Sequence, residues 1–146
     1  KARSSELFGL PVEAVTHAAP ALEIVEIRGP FAGNLPLAMA DNAQQKAYVT
    51  GPAVQLTEQN RDLAQARVAV EIDGETTDVA SGSAVMDGGG LLSVVWLANK
   101  LAEFDLALEA GMQVMSGSFT RQYPASKGTR VRASFGGFGA VEASFF

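Results

Sequence analysis

Arg67-Val68-Ala69-Val70-Glu71-Ile72-Asp73-Gly74-Glu75 is the stretch on which the fold of this 146-residue chain turns. Val68, Val70 and Ile72 recur at every second position, the period of a strand with one buried face. Asp73-Gly74 suits the two-residue turn that joins antiparallel strands, because both of its central residues adopt positive φ. Glu75 to Ala80 then reads as the returning strand, so the segment predicts a β-hairpin.

Downstream, Gly88-Gly89-Gly90 reads as a flexible loop before the strongest helical pattern, Leu91 to about Phe104. There Val94, Leu97, Ala98, Leu101 and Ala102 recur at three- and four-residue spacing, with Lys100 and Glu103 on another face. Strands are predicted over 112–118, 129–135 and 140–146, the last two joined by the turn Gly136-Gly137-Phe138-Gly139. Upstream, Pro11 to Val15 opens a predicted helix within 5–19, since Pro suits the first turn of a helix. Ala21 to Ile27 is a β-branched run typical of a strand. Polar residues 41–46 form a loop or short helix before a strand at 47–50. A few helices among many locally paired strands make an α+β domain with a largely antiparallel or mixed sheet.

With 47% hydrophobic residues and 18% charged ones, the chain can bury a full core as a single domain. The net charge of -5 argues against a nucleic-acid binder, which usually carries a basic stripe. No Cys occurs, so disulfides, thiolate nucleophiles, iron–sulfur clusters and Cys-based zinc sites are excluded. The most apolar stretch, Leu91 to Leu101, is far short of the roughly 20 residues that cross a bilayer. A cytoplasmic enzyme or binding domain is the default expectation. The opening Lys1-Ala2-Arg3-Ser4 reads as the interior of a longer polypeptide.

His17 is the sole histidine, and its expected role is structural or solvated. The Gly-x-Ser-x-Gly elbow, the Walker loop and the dinucleotide fingerprint are all missing. Glu23 stands on the predicted first strand, sharing a face with Val25 and Ile27. Buried there, its carboxylate needs protonation, a basic partner or a cation, and a hard divalent ion suits oxygen ligands. Exposed there, it stands in water or pairs with Arg28 or Arg67. Asp41-Asn42, with Gln44, Gln45 and Lys46, could bind an anionic substrate or be an ordinary polar loop. Ser116-Gly117-Ser118-Phe119-Thr120 places three hydroxyls around a glycine, suited to ligand approach or to a strand leaving its sheet. Arg121 could reach a distal carboxylate.

Taken in order, these segments resemble the fumarylacetoacetate hydrolase superfamily, in its branch of 2-keto-4-pentenoate hydratases and 4-oxalocrotonate decarboxylases. Ala19-Pro20-Ala21-Leu22-Glu23-Ile24-Val25-Glu26 is similar to the branch's metal-binding segment, and Asp41-Asn42-Ala43 to the start of its substrate loop. Val95-Trp96-Leu97-Ala98-Asn99-Lys100-Leu101 resembles its long helix. Ala110-Gly111 through Ser116-Gly117-Ser118-Phe119-Thr120-Arg121 resembles its strand and ligand loop, and Phe135-Gly136-Gly137-Phe138-Gly139 its terminal turn. The likeness runs from about Pro20 to Phe146.

The resemblance implies a mixed β-roll or sandwich with flanking helices, and a Mg²⁺ or Mn²⁺ ion held by three carboxylates. Glu23 would be one of these. The other two lie in the family on an upstream Glu-x-Glu strand that this chain lacks, so residues 1–146 are expected to be the C-terminal part of a longer catalytic domain and inactive alone. By the same resemblance, Asn42 and Gln44 face the substrate, and Ser116 and Ser118 bind its carboxylate end. Gln44 stands where the branch has Ser, which reshapes the pocket. The catalytic base is not identified and is expected in the missing part. The expected activity is a hydratase acting on a 2-hydroxy-2,4-dienoate in aromatic meta-cleavage catabolism, with the metal as Lewis acid on a small 2-oxo acid. The alternatives are decarboxylation of a 2-oxo-3-enedioate and a non-catalytic assembly subunit. The expected assembly is a cytoplasmic homo-oligomer; under the assembly-subunit alternative Phe138, Phe145 and Phe146 could serve an interface, although core packing is their first expectation.

Overall fold

The computed structural model describes residues 12–86 and 89–146. The hairpin forms as its sequence requires: β5 (Arg67–Ile72) pairs antiparallel with β6 (Glu75–Ser81), and Ile72 faces Glu75 across the turn. Asp73 and Gly74 have φ of +52° and +88°, so both residues adopt the left-handed conformation of a two-residue hairpin turn. The Asp73 carboxylate also accepts the Arg130 N–H at 2.8 Å, tying the turn to the start of β7 (Arg130–Phe135).

β7 pairs with the free edge of β5 and is itself followed by β8 (Gly139–Ser144), giving an antiparallel sheet in the order β6-β5-β7-β8. Val68, Val70, Ala133 and Val141 are buried together on this sheet. A second antiparallel ribbon, β2 (Ala21–Val25) with β3 (Gln45–Thr50), lays Leu22 and Val49 against that cluster. Phe119 joins them and meets the Phe135 ring edge-on, 5.5 Å between centroids. A short ribbon pairs β1 (His17–Ala18) with β4 (Val54–Gln55).

Two helices flank these strands. The short α1 (Leu35–Ala40) starts where the Asn34 side chain accepts the Leu37 N–H. The longer α2 (Gly90–Ala102) buries Leu91, Val94, Val95 and Ala98; of the stripe read from sequence, Val94 and Ala98 are buried, Leu97 and Leu101 half-buried and Ala102 exposed. Leu91 meets Leu56 and Phe138 in a second core cluster, so Phe138 is a core residue, whereas Phe146 is fully exposed. The α+β architecture is therefore the one the sequence implies.

Two segments differ. Of the helix expected within 5–19, residues 5–11 lie outside the described residues; beyond them the chain makes one 3₁₀ turn (Val12–Ala14) and then enters β1, carrying His17 into a strand. The pull of tertiary pairing with Val54 and Gln55 wins over a weak helical pattern. Residues 112–118, expected as a strand, pair with no strand among the described residues. Gly117 at φ +119° breaks the extended run, and the Ser116 carbonyl is satisfied by a side chain, the Ser93 hydroxyl at 2.5 Å. The loop Gly88-Gly89-Gly90 is described only from Gly89 onward, and Gly90 already belongs to α2.

Candidate functional site

Glu23 projects from the middle of β2 opposite Tyr48, on the face turned away from Leu22 and the core. Both residues are exposed. The reading in which a buried Glu23 carboxylate demands a counter-ion is therefore corrected: in this chain it stands in water, because strand alternation gives the core face to Leu22 and Ile24. Its chemistry still suits a hard cation as one oxygen ligand. No group of three His, Asp or Glu side chains that could hold a metal ion exists among the described residues, so Glu23 alone does not make a magnesium site.

Where β2 ends, the chain reaches the polar loop. The Glu26 N–H donates to the Gln44 carbonyl at 2.9 Å, bringing the loop alongside the strand's continuation. Asn42, Ala43 and Gln44 have φ of +56°, +51° and +66°, three successive non-glycine residues in the left-handed region. Each such residue costs roughly 1–2 kcal/mol from crowding between its Cβ and the following carbonyl. The compensation is local and ionic. Arg28 places Nε 3.2 Å from Asp41 Oδ1 and Nη2 2.8 Å from Oδ2, and the same Nη2 donates to the carbonyls of Asp41 and Gln45 at 3.1 and 3.2 Å. The Asp41 carboxylate holds the Arg28 guanidinium charged beyond its ordinary range. Lys46, 3.0 Å from Glu26, and then Arg28 hold the Glu26 carboxyl below its usual value.

Gln44 lines an open hollow of about 330 Å³ with Ile27, Gly29, Pro30, Phe31 and Ala32. Asn42 is exposed and donates to the Gln45 side chain at 3.4 Å.

Ser116 and Ser118 lie elsewhere, in an open groove of about 440 Å³ between α2 and the 114–118 segment. Its wall includes Met86, Trp96 and Met115, each more than two-fifths exposed, so the groove joins a broad apolar surface to a line of hydroxyls. The hydroxyls are not equivalent. Ser93 Oγ is within bonding distance of the Gly90 and Ser116 carbonyls, and Ser118 Oγ donates to the Thr120 carbonyl at 2.8 Å. Each has committed its proton to backbone. Ser116 Oγ has no such bond among the described residues, which leaves it ready to donate to an anionic ligand.

The structure thus brings Asn42 close to Gln44 and Ser116 close to Ser118, but Gln44 opens onto one hollow and the two serines onto another, and Asn42 lines neither. Arg121 stacks over Tyr123 at 4.6 Å, and Tyr123 donates to Asp78 at 2.6 Å. That arrangement raises the Arg121 pKa, chiefly through Tyr123. Sequence reasoning missed the part played by Arg28, considered only as a partner for Glu23. The signal was available: an Arg shortly after a strand and an Asp at the head of a polar loop with no other basic residue between them. Trp96 was read only as part of a helix pattern, and its place on the groove wall depends on which side of α2 the rest of the chain covers.

No family model matches the chain. Along its length it is 33% identical to 4-oxalocrotonate decarboxylase of Pseudomonas putida, over 139 residues that make up 94% of this chain and 52% of the relative. Over 71 residues, 49% of this chain and 26% of the relative, it is 44% identical to 2-oxo-hept-4-ene-1,7-dioate hydratase of Escherichia coli. A solved structure of 4-oxalocrotonate decarboxylase from Pseudomonas putida G7, complexed with magnesium and adipate, superposes with a TM-score of 0.80 at 31% identity, covering 92% of this chain and 51% of that one. The chain spans about half the length of the decarboxylases it matches.

Proposed function

This chain belongs to the hydratase and decarboxylase branch of the fumarylacetoacetate hydrolase superfamily, and from that premise we propose that the catalytic domain carrying it adds water to a 2-hydroxy-2,4-dienoate in a divalent-metal-dependent reaction. The domain in this reading extends beyond residues 1–146, is cytoplasmic and assembles as a homo-oligomer. Glu23 contributes one oxygen ligand to Mg²⁺ or Mn²⁺, and the remaining ligands come from outside the described residues.

The observation that carries the reading is the uncommitted Ser116 hydroxyl at the edge of an apolar groove. A small unsaturated acid has a hydrocarbon body and an anionic end. Met86, Trp96 and Met115 supply contact for the body, and Ser116 supplies a donor for a carboxylate oxygen; such hydrogen bonds to charged groups contribute about 1.5–3 kcal/mol. Ser118 joins only after its hydroxyl turns from Thr120. Asn42 and Gln44 present amides that both donate and accept, suited to an enol or a 2-oxo oxygen.

A second reading, decarboxylation of a 2-oxo-3-enedioate, is supported by the decarboxylase match running along 94% of this chain. The test offers both acids to the purified protein containing this chain, with Mg²⁺ and then with excess EDTA. Formation of a hydroxylated 2-oxo acid, heavier than the substrate by one water and without gas release, marks hydration; release of one CO₂ per substrate marks decarboxylation. Turnover of neither acid with Mg²⁺, or with Mn²⁺ in its place, overturns both readings and favours an assembly role for the domain.

A further inference from the structure

We propose that Arg28 is the positioning residue of the amide loop: it holds Asn42-Ala43-Gln44 in its left-handed turn, and so sets where the Asn42 and Gln44 amides meet the substrate. The second half of this statement rests on the function proposed above; the first stands on geometry alone.

Three consecutive L-residues at φ of +56°, +51° and +66° do not keep that conformation unaided. Within the turn the backbone offers only the Gln44 N–H on the Asp41 carbonyl at 3.2 Å and the Gln45 N–H on the Asn42 carbonyl. From outside, the Glu26 N–H donates to the Gln44 carbonyl at 2.9 Å and β2 pairs Val25 with Gln45, while Arg28 is the group that bridges the two ends of the tripeptide. Its guanidinium grips both oxygens of Asp41, the residue before the tripeptide, and the carbonyl of Gln45, the residue after it. One rigid group thereby fixes the distance between the two ends of the turn. Glu26 takes the remaining Nη1 at 3.5 Å and is in turn held by Lys46, so the fork is oriented from its far side as well. A lysine cannot copy this, since a single ammonium has no planar fork to meet a carboxylate and a carbonyl at once.

The experiment compares wild type with Arg28→Lys, Arg28→Gln and Arg28→Lys/Ala43→Gly, reading amide hydrogen exchange and then kinetics with the 2-hydroxy-2,4-dienoate. In both single variants the Gln44 and Gln45 amides should exchange at least tenfold faster, while those of Val68 and Val70 in the core stay within twofold. Ala43→Gly should recover much of that protection, because glycine adopts positive φ without a Cβ penalty. With an active wild type, KM should rise about tenfold in Arg28→Lys, kcat should change less than threefold, and Ala43→Gly should bring KM back.

Unchanged exchange at Gln44 and Gln45 in folded variants overturns the proposal, and so does faster exchange with unchanged KM. If the single variants fail to fold, Asp41→Asn, which keeps the shape of the carboxylate and removes its charge, carries the same comparison. If wild type turns over neither acid, the functional reading falls while the exchange result still decides whether Arg28 holds the turn.

Discussion

Glu142 on β8 stands directly across from Arg132 on β7 and takes two guanidiniums at once: Arg130 Nη2 at 2.5 Å from one carboxylate oxygen, and Arg132 Nη1 on the other. The hydrogen bond from Arg130, then that from Arg132, holds the Glu142 carboxyl below its ordinary value of 4.5. A carboxyl whose pKa is lower in the folded than in the unfolded chain stabilises the fold above the unfolded value, and the contribution is lost as pH falls through the folded one. Glu142→Gln should therefore lower the melting temperature at pH 7, and the gap to wild type should narrow as the pH falls from 7 to below 4.5. Thermal melts of both proteins across that range check it; a gap independent of pH would mean that the pair contributes through shape and not through charge. The pair lies on an exposed sheet face, so added salt should narrow the gap too. Single residues were the least legible level of this chain. Glu23 reads as a candidate ligand from its strand, yet which face of that strand is wet depends on the β2–β3 ribbon meeting the sheet through Leu22 and Val49. Arg28 is hard to read as a clamp because its partners lie 13 and 17 positions away, at no spacing that a periodic pattern marks, and only the lack of another basic residue before Asp41 points to it.

Among the elements, the hairpin was legible because all the information it needs is local: alternation on two short strands and a turn whose residues tolerate positive φ. Gly74 tests that account directly. A Cβ there would meet nothing within 4 Å, so Gly74→Ala changes only backbone preference at φ +88°. The substitution should cost about 1 kcal/mol, measured by urea unfolding with an unchanged m-value. A negligible cost would imply that the turn relaxes to another type. Helix α2 was legible for the same reason, its buried Leu91, Val94, Val95 and Ala98 following the period of the element itself. The expected strand at 112–118 shows the converse. Met112, Val114 and Met115 give it apolar content, but a strand exists only where a partner edge is free, and no ladder forms with this segment among the described residues. Instead the segment closes the side of a groove and hands its Ser116 carbonyl to Ser93. Tertiary context of this kind leaves no local signature.

At the scale of the molecule, the candidate ligand groups divide between two hollows, Gln44 in one and Ser116 in the other, with no lining residue in common. The β2–β3 ribbon and the 114–118 segment meet indirectly, since Phe119 packs in the same core cluster as Leu22 and Val49. A substrate that touches both groups must extend from one hollow to the other, each end held independently. Residues without shared partners contribute nearly additively to binding, whereas groups gripping one atom of a ligand couple strongly. Ser116→Ala should remove one hydrogen bond to a charged group and raise KM about tenfold or more. Gln44→Ala should raise KM by a smaller factor, since a neutral amide contact contributes about 1 kcal/mol. Measured on the active protein with a 2-hydroxy-2,4-dienoate, the double variant's KM should equal the product of the two single effects to within about twofold. A double variant no worse than Ser116→Ala alone would show instead that both residues grip one end of the ligand, and that the two hollows join into a single site when the acid binds.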